Sequence, residues 1–405
     1  MQLAKCRSGY CLNVRSSDSY RFFNLCFKAV IVLLISRLLI FHTLFELSDM
    51  VELAFTAATA VFAVLSVAFV FTELKQSVKF LSLTTFLLLL ISYLMHTSGL
   101  EYLCNIVTLC SIFIVFPFMH MSKKGVVFVY LIFVAFSVFL FFTAPSSAEF
   151  DLTHKGMNPN NSSLVCLLTE FLSLSLAFKS KKKFSKFLLV LLTVMLFCFQ
   201  LSFGGRSSLI GTILMVIYFV FYKFVNRIPK GFYKFIFFFL LVFSILFAYL
   251  YSVTLFNSIG KGSVTLMGKD LFTGRQTIWS DIFNYVGNDW LFGKGNTFES
   301  SWIITDNAGE LAAANNAHNF SLGFAAIFGV IPFLSFTLLI ASSSDSCLRF
   351  KTKHFAVIMV ILFIQCFFET SLYSSYSTYF IFPLLISIGL TDKMVSSKFY
   401  RVKEL

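Results

Sequence analysis

Apolar runs long enough to cross a bilayer follow one another from residue 24 to residue 391, and a chain built that way has few ways to fold. About 20 apolar residues span the ~30 Å hydrocarbon core of a membrane, and within it every backbone N–H and C=O must be satisfied by the span itself. Helices meet that demand run by run. Twelve runs are read, at 24–44, 51–72, 80–97, 103–121, 125–144, 162–178, 185–203, 207–222, 235–257, 319–343, 354–372 and 376–391. The predicted fold class is an all-α integral membrane protein of about 12 transmembrane helices. Composition agrees, with 58% hydrophobic and 13% charged residues, where soluble domains hold roughly 45–50% and ~25%. The one long interruption, 258–318, lies between helices 9 and 10. It divides the chain into 1–257 with helices 1–9, the loop 258–318, and 319–405 with helices 10–12.

The short connections alternate in charge, and cations are retained on the cytoplasmic side. The N-terminus, Lys75/Lys79, Lys123/Lys124, Lys179 to Lys186, Lys223 to Lys234, Arg349 to Lys353 and Lys393 to Lys403 form one set. The segments around Glu46 to Glu52, Glu101, Glu149/Asp151, Gly204-Gly205-Arg206 and 258–318 form the other. Of 32 Lys and Arg, 24 fall in the first set, six in the second, and Lys28 and Arg37 within the first run. Both termini are therefore expected in the cytoplasm and the long loop outside. The N-terminal cations resemble a signal peptide, but the apolar run behind them is too long and lacks a small-residue cleavage site, so it is read as a retained helix.

A net charge of +13 spread through these loops is topology, and no nucleic-acid partner is expected. The nine cysteines lie in apolar runs or expected cytoplasmic loops, which implies no disulfide framework. The six histidines are scattered, with no paired His or Cys spacing suited to a metal, and neither a Walker-type loop nor a dinucleotide fingerprint occurs.

Most connections are a few residues long, so the outer loop is where function is expected. Within it, 273–283 places Ile278, Trp279, Ile282 and Phe283 on one stripe and reads as an amphipathic helix near the membrane surface, broken afterwards by Gly287, Gly293 and Gly295. Three outward residues break local rules. Arg206 follows two glycines between helices 7 and 8, Arg275 opens the amphipathic helix after Gly274, and His318 opens helix 10. Guanidinium forks fit phosphate oxygens bidentately, and two of them at a membrane surface suit a lipid-linked pyrophosphate. Taken singly, Arg206 reads equally as a snorkelling anchor and His318 as an interfacial or capping residue.

At these residues the chain resembles the O-antigen polymerase and O-antigen ligase superfamily. The resemblance rests on Phe203-Gly204-Gly205-Arg206-Ser207-Ser208, on Gly274-Arg275 with the turn Trp290-Leu291-Phe292-Gly293-Lys294-Gly295, and on His318-Asn319 with Gly329. It spans roughly 190–335. It implies a GT-C-like, metal-independent membrane glycosyltransferase of the bacterial inner membrane with a large periplasmic loop. The implied donor is an undecaprenyl-pyrophosphate-linked oligosaccharide, with no cofactor. Arg206 and Arg275 would hold the pyrophosphate, His318 would act as base or phosphate contact, and Gly205, Gln276, Asn319 and Glu369 would bind substrate. Glu369, near the end of helix 11, could instead be an interfacial residue facing water.

Within the superfamily, Pro332 after Gly329-Val330-Ile331 tilts the reading toward polymerase, which extends a lipid-linked repeat, over ligase, which transfers glycan to lipid A-core. A chain-length regulator and a flippase of the same pathway are the further partners implied. A transporter or flippase is the alternative of another class, since twelve helices is also a carrier plan. It is disfavoured by the outer position of the long loop and the absence of an internal repeat. The outer segments 145–161 and 296–316 are candidate specificity elements.

Overall fold

The computed structural model describes residues 22–23, 25–34, 36, 49–96, 100–115, 123–143, 159–225, 227–255, 265–266, 269–270, 275–295, 303–305, 311–313, 317–350 and 353–367. Across them the chain is helical apart from two short antiparallel ribbons, Thr265–Leu266 with Lys269–Asp270 and Ile303–Thr305 with Leu311–Ala313. The helices are α1 (Leu25–Leu34), α2 (Asp49–Val70), α3 (Gln76–His96), α4 (Leu100–Val115), α5 (Lys123–Thr143), α6 (Pro159–Lys179) and α7 (Lys183–Phe203). They continue as α8 (Arg206–Val220), the single turn α9 (Tyr222–Val225), α10 (Lys230–Tyr249), α11 (Arg275–Val286), α12 (Phe320–Phe328), α13 (Val330–Phe350) and α14 (Lys353–Gln365). Helix 12 of the sequence reading, at 376–391, lies outside the described residues.

Among the described residues, four segments are long and apolar enough to cross a membrane: Met50–Glu73, Gln76–His96, Lys183–Phe203 and Gly231–Ser252. Their packing is inverted relative to a water-soluble bundle. On α3 the buried positions are Val78, Ser82, Thr85, Leu89 and Ser92, while Phe80, Leu83, Leu87, Leu90 and Leu94 are exposed, Phe80 at 68%. Both stripes advance by alternating steps of three and four, so one face of the helix is hydroxyl-bearing and inward and the other is bulky, apolar and outward. Small hydroxylic residues permit close helix approach and bond across helices, whereas large apolar side chains gain nothing from leaving a lipid solvent. Thr85 meets Ser335 of α13 at 2.7 Å, and Ser92 donates to the carbonyl of Phe292 at 2.9 Å.

The helix directions follow from the side-chain pairs. Ser163 and Glu170 of α6 meet Gly205 and Thr212 of α8 respectively, so these helices run the same way. Tyr130 and Ser137 of α5 meet Ser173 and Thr169 of α6, so α5 runs the opposite way. Phe237 of α10 meets Phe363 edge-on, and Phe243 and Phe247 pack at a tilt against Phe367, so α10 and the α14 segment are parallel.

The expectation of one continuous helix at 319–343 is corrected. Gly329, at φ 96°, breaks it, and α12 folds back along α13: Phe320 and Phe324 both pack on Phe336, and Phe324 also on Phe333. The apolar stretch carries no proline until Pro332, and the break is set by the close approach of another backbone. The turn after α11 lies directly on the α12–α13 junction. Val330 and Ile331 donate to the carbonyls of Trp290 (2.7 Å) and Leu291 (3.3 Å), and the N–H groups of Lys294 and Gly295 to those of Ala326 (2.8 Å) and Ile327 (3.2 Å). A Cβ on Gly293 would meet the Gly329 nitrogen at 2.7 Å, and one on Gly329 would meet the Phe292 backbone.

Inside the group formed by α6, α7, α8 and α14 a cluster of polar residues is buried among the apolar ones. The Thr212 hydroxyl lies 3.0 Å from Glu170 Oε2 and 2.9 Å from Gln200 Oε1, and the Gln365 amide packs against the site where Gly211 has no Cβ. All four residues of this cluster (Glu170, Gln200, Thr212 and Gln365) are buried.

Two stability outcomes are expected in thermal melts of detergent-purified protein. Gly293→Ala should destabilise by roughly 2 kcal/mol or more, because its φ of 75° and the opposing backbone both reject a side chain. Gly231→Ala, in the first turn of α10 where a Cβ meets nothing, should raise the melt slightly, by about 0.4–1 kcal/mol. Thr212→Val should lower stability by about 1 kcal/mol, since it leaves Glu170 and Gln200 unpaired in the interior, and Thr212→Ser should restore it.

Candidate functional site

Arg206 is the first residue of α8 and is half-buried. It is placed there by two glycines with different tasks. Gly204 ends α7 in the left-handed region (φ 70°), its N–H reaching the carbonyls of Gln200 and Leu201. Gly205 is the extended residue ahead of α8, and its N–H donates to Ser163 Oγ of α6 at 3.2 Å, with no room for a Cβ against Ser163. The Gly-Gly pair thus reverses the chain in two residues and draws the start of α8 onto α6. The sequence reading counts Gly205 among substrate-binding residues; in the structure its N–H bonds Ser163.

Arg275 is the first residue of α11, followed by Gln276, whose amide oxygen is buried and has no hydrogen-bond partner. The helix expected around 273–283 is present, and its buried residues are Ile278, Trp279, Ile282 and Val286. They pack with Ala248, Ala317, Leu322 and Ala326, with Phe247, Tyr251 and Trp290 around them. Trp279 is fully buried, and its indole N–H donates to the carbonyl of Ala317 at 2.8 Å.

His318 follows Ala317. It is the one non-glycine residue with positive φ (46°) among the described residues. A side chain in that region is disfavoured by about 1–2 kcal/mol and persists only where its neighbours are held. They are held here. Ala317 is tied to Trp279. Asn319, completely buried, caps α12 by accepting the Leu322 N–H at 2.9 Å and the Ser244 hydroxyl at 3.1 Å, while its amide donates to the carbonyls of Ser244 (3.3 Å) and Phe367 (3.4 Å). Phe320 N–H donates to Cys366 O at 3.0 Å.

Arg275 and His318 therefore belong to one locus. Arg275 is one turn before Trp279, which bonds the residue before His318. The α11 helix runs alongside α12 in the same sense, because the turn after α11 closes on Gly329 at the end of α12. Arg206 lies at the same end of the bundle: Tyr233, near the start of α10, donates to the carbonyl of Val225 beyond the far end of α8, while Ser244 and Phe247 near the other end of α10 meet Asn319 and Phe367. Glu369 lies outside the described residues.

Three helix starts thus gather at one end of the bundle, those of α8, α11 and α12, with 15, 12 and 9 residues. Each carries a basic residue, Arg206, Arg275 or His318, within its first turn or just before it. Helix N-termini carry partial positive charge and free N–H groups, so cations there are disfavoured and anions favoured, each by about 0.3–1 kcal/mol. Placing guanidinium groups at two of them raises the local potential further. The arrangement is suited to a multiply charged anion such as a phosphate or pyrophosphate. A pyrophosphate in such a setting would be held by fixed dipoles and by guanidinium forks that need no reorganisation.

Sequence reasoning did not find the residues that hold this locus: Ser163, Ser244 and Trp279. Trp279 was visible only as part of an apolar stripe, and the serines resemble the many other hydroxyls that line these helices. His318→Gly is expected to melt at or above the wild-type temperature, because glycine adopts φ 46° freely. His318→Val should melt lower, by about 1–2 kcal/mol, because a β-branched residue is poorly accommodated there.

Set against known proteins, the chain matches no family model, no curated protein and no solved structure, so this site is read from its own geometry.

Proposed function

We propose that the chain is a polysaccharide polymerase of the bacterial inner membrane, joining undecaprenyl-pyrophosphate-linked repeat units on the periplasmic face. The observation that carries the reading is the presence of Arg206, Arg275 and His318 at the starts of three helices at one end of a helical bundle. The topology that goes with it has about 12 spans, both termini in the cytoplasm and 258–318 outside, and it rests on the Lys and Arg bias of the loops.

In this reading Arg206 and Arg275 bind the donor pyrophosphate. The acceptor sugar hydroxyl attacks the anomeric carbon of the donor, a new C–O bond forms, and the bond from that carbon to the phosphate oxygen breaks. The electron pair leaves with undecaprenyl pyrophosphate, whose growing charge the two guanidinium groups and the helix dipoles stabilise. The hydroxyl proton passes to His318 or to the departing phosphate. Gln276 is the polar neighbour of Arg275 through which a sugar hydroxyl or phosphate oxygen could be fixed. The bound glycan is the substrate, and the chemistry requires no cofactor.

The test is the lipopolysaccharide ladder of a strain deleted for this gene and complemented with wild type, Arg206→Ala, Arg275→Ala or His318→Ala, each checked for membrane expression. Deletion is expected to leave core with a single repeat, and the expressed variants to restore few or no longer chains. Loss of two positioned guanidinium contacts should reduce polymerisation by roughly 10²–10³-fold apiece. Bare core with lipid-linked polymer accumulating would make the protein a ligase. Normal ladders from all three variants would overturn the site and favour a lipid-glycan transporter.

A further inference from the structure

The backbone around His318 is held from both sides by side chains that have no access to a substrate. On the N-terminal side the Trp279 indole N–H bonds the Ala317 carbonyl at 2.8 Å, from a ring that is completely buried. On the C-terminal side Asn319 is completely buried, and the four hydrogen-bonding valences of its amide are used by Leu322, Ser244 (twice) and Phe367. Between these anchors His318 takes a left-handed conformation, φ 46°, that a residue with a side chain adopts at a cost. A histidine free to choose would place its backbone in the β or right-handed region, and its ring would swing by several ångströms.

We propose that Trp279 and Asn319 are positioning residues that fix the imidazole of His318 relative to Arg275, Trp279 linking the two because it sits one turn along α11 from Arg275. The inference rests on the reading of His318 and Arg275 as donor-site residues. It also changes the part played by Asn319, which the sequence alone places among the substrate-binding residues: its amide has no valence left for a glycan. The α11 helix then has two ends of one job. Its first residue grips the phosphate, and its fifth sets the backbone on which the histidine is mounted. Donor binding at Arg275 and the placing of His318 become parts of one rigid unit, closed at the other end by the contact of the 290–295 turn with Gly329.

The experiment uses the full-length protein in lipid nanodiscs with a lipid-pyrophosphate-linked oligosaccharide, measuring kcat, KM for the donor and thermal stability. Trp279→Phe keeps an aromatic ring in the pocket but loses the N–H together with part of the indole's volume, which is why thermal stability is read alongside kcat; Asn319→Asp keeps the shape and removes the two donor bonds to Ser244 and Phe367. For Trp279→Phe, kcat is expected to fall about 10–100-fold with donor KM within about twofold, because a misplacement of order 1 Å at a reacting group has that effect. Placed on a His318→Ala background, Trp279→Phe should cause no further loss, since a residue that acts through the histidine has nothing left to position.

Additive losses in the double variant, or a lowered melting temperature with kcat unchanged, would assign Trp279 a structural role and overturn the proposal. Asn319→Asp gives the same readout from the other side: a fall in kcat that vanishes on the His318→Ala background supports it, and an additive fall overturns it. If His318→Ala itself retains full turnover, the donor-site reading fails, an outcome distinct from a failure of positioning, in which His318→Ala is inactive and Trp279→Phe is not.

Discussion

Two backbones that touch with no side chain between them set the frame for everything at this end of the molecule. The turn at 290–295 and the α12–α13 junction share four N–H to carbonyl bonds, and Gly293 and Gly329, both at positive φ, leave that contact open. Because the contact fixes the end of α11 and the end of α12 together, it also fixes their starts. Helices are stiff at 1.5 Å per residue, so where Val286 and Phe328 lie decides where Arg275 and His318 lie. Gly293, which in the sequence looks like a break in an outer loop, and Gly329, which looks like a residue within a helix, form in the structure the contact that aligns two helix N-termini. The turn at 290–295 is thus tied to the bundle by backbone bonds.

The helices themselves follow from apolar length, but their sidedness follows from where the small hydroxylic residues are. Along α3, Ser82, Thr85 and Ser92 face inward and large apolar residues face out. Phenylalanine is the commonest way this chain fills the spaces left, with Phe320, Phe324, Phe333 and Phe336 forming the seam of the α12–α13 hairpin. The cluster of Glu170, Gln200, Thr212 and Gln365 is the exception that a bilayer interior makes expensive. Its position, one to two turns from Arg206 along α8, makes the same helix carry a charge at its start and a polar cluster below it.

How much of this was legible beforehand depends on the range of the interaction concerned. Helix positions are local consequences of apolar runs, and α2 to α8 begin and end within several residues of the expected bounds. The amphipathic stripe at 278–283 likewise gives α11 correctly, because its period is written in consecutive residues. The break at Gly329 was not legible: a lone glycine in an apolar run is tolerated in many helices, and only the arrival of 290–295 from outside the helix forbids continuation. The same holds for Asn319. Next to a candidate histidine it reads as a ligand contact, whereas its partners Ser244 and Phe367 lie 75 and 48 residues away and cannot be inferred from neighbours.

Arg206 and Arg275 were singled out from sequence as outward-facing cations; the structure adds that each is the first residue of its helix. The helix dipole opposes a cation at that end by about 0.3–1 kcal/mol. The left-handed backbone at His318 adds conformational strain to that cost. On the proposed donor reading, a bound pyrophosphate would relieve the electrostatic part, since guanidinium groups and helix dipoles act in concert on an anion that lies between them. It leaves the strain untouched, because that is held by Trp279 and Asn319 from within the protein. The site therefore has one component that responds to ligand and another that does not, and a histidine held by the second stays aimed whether or not the first is occupied.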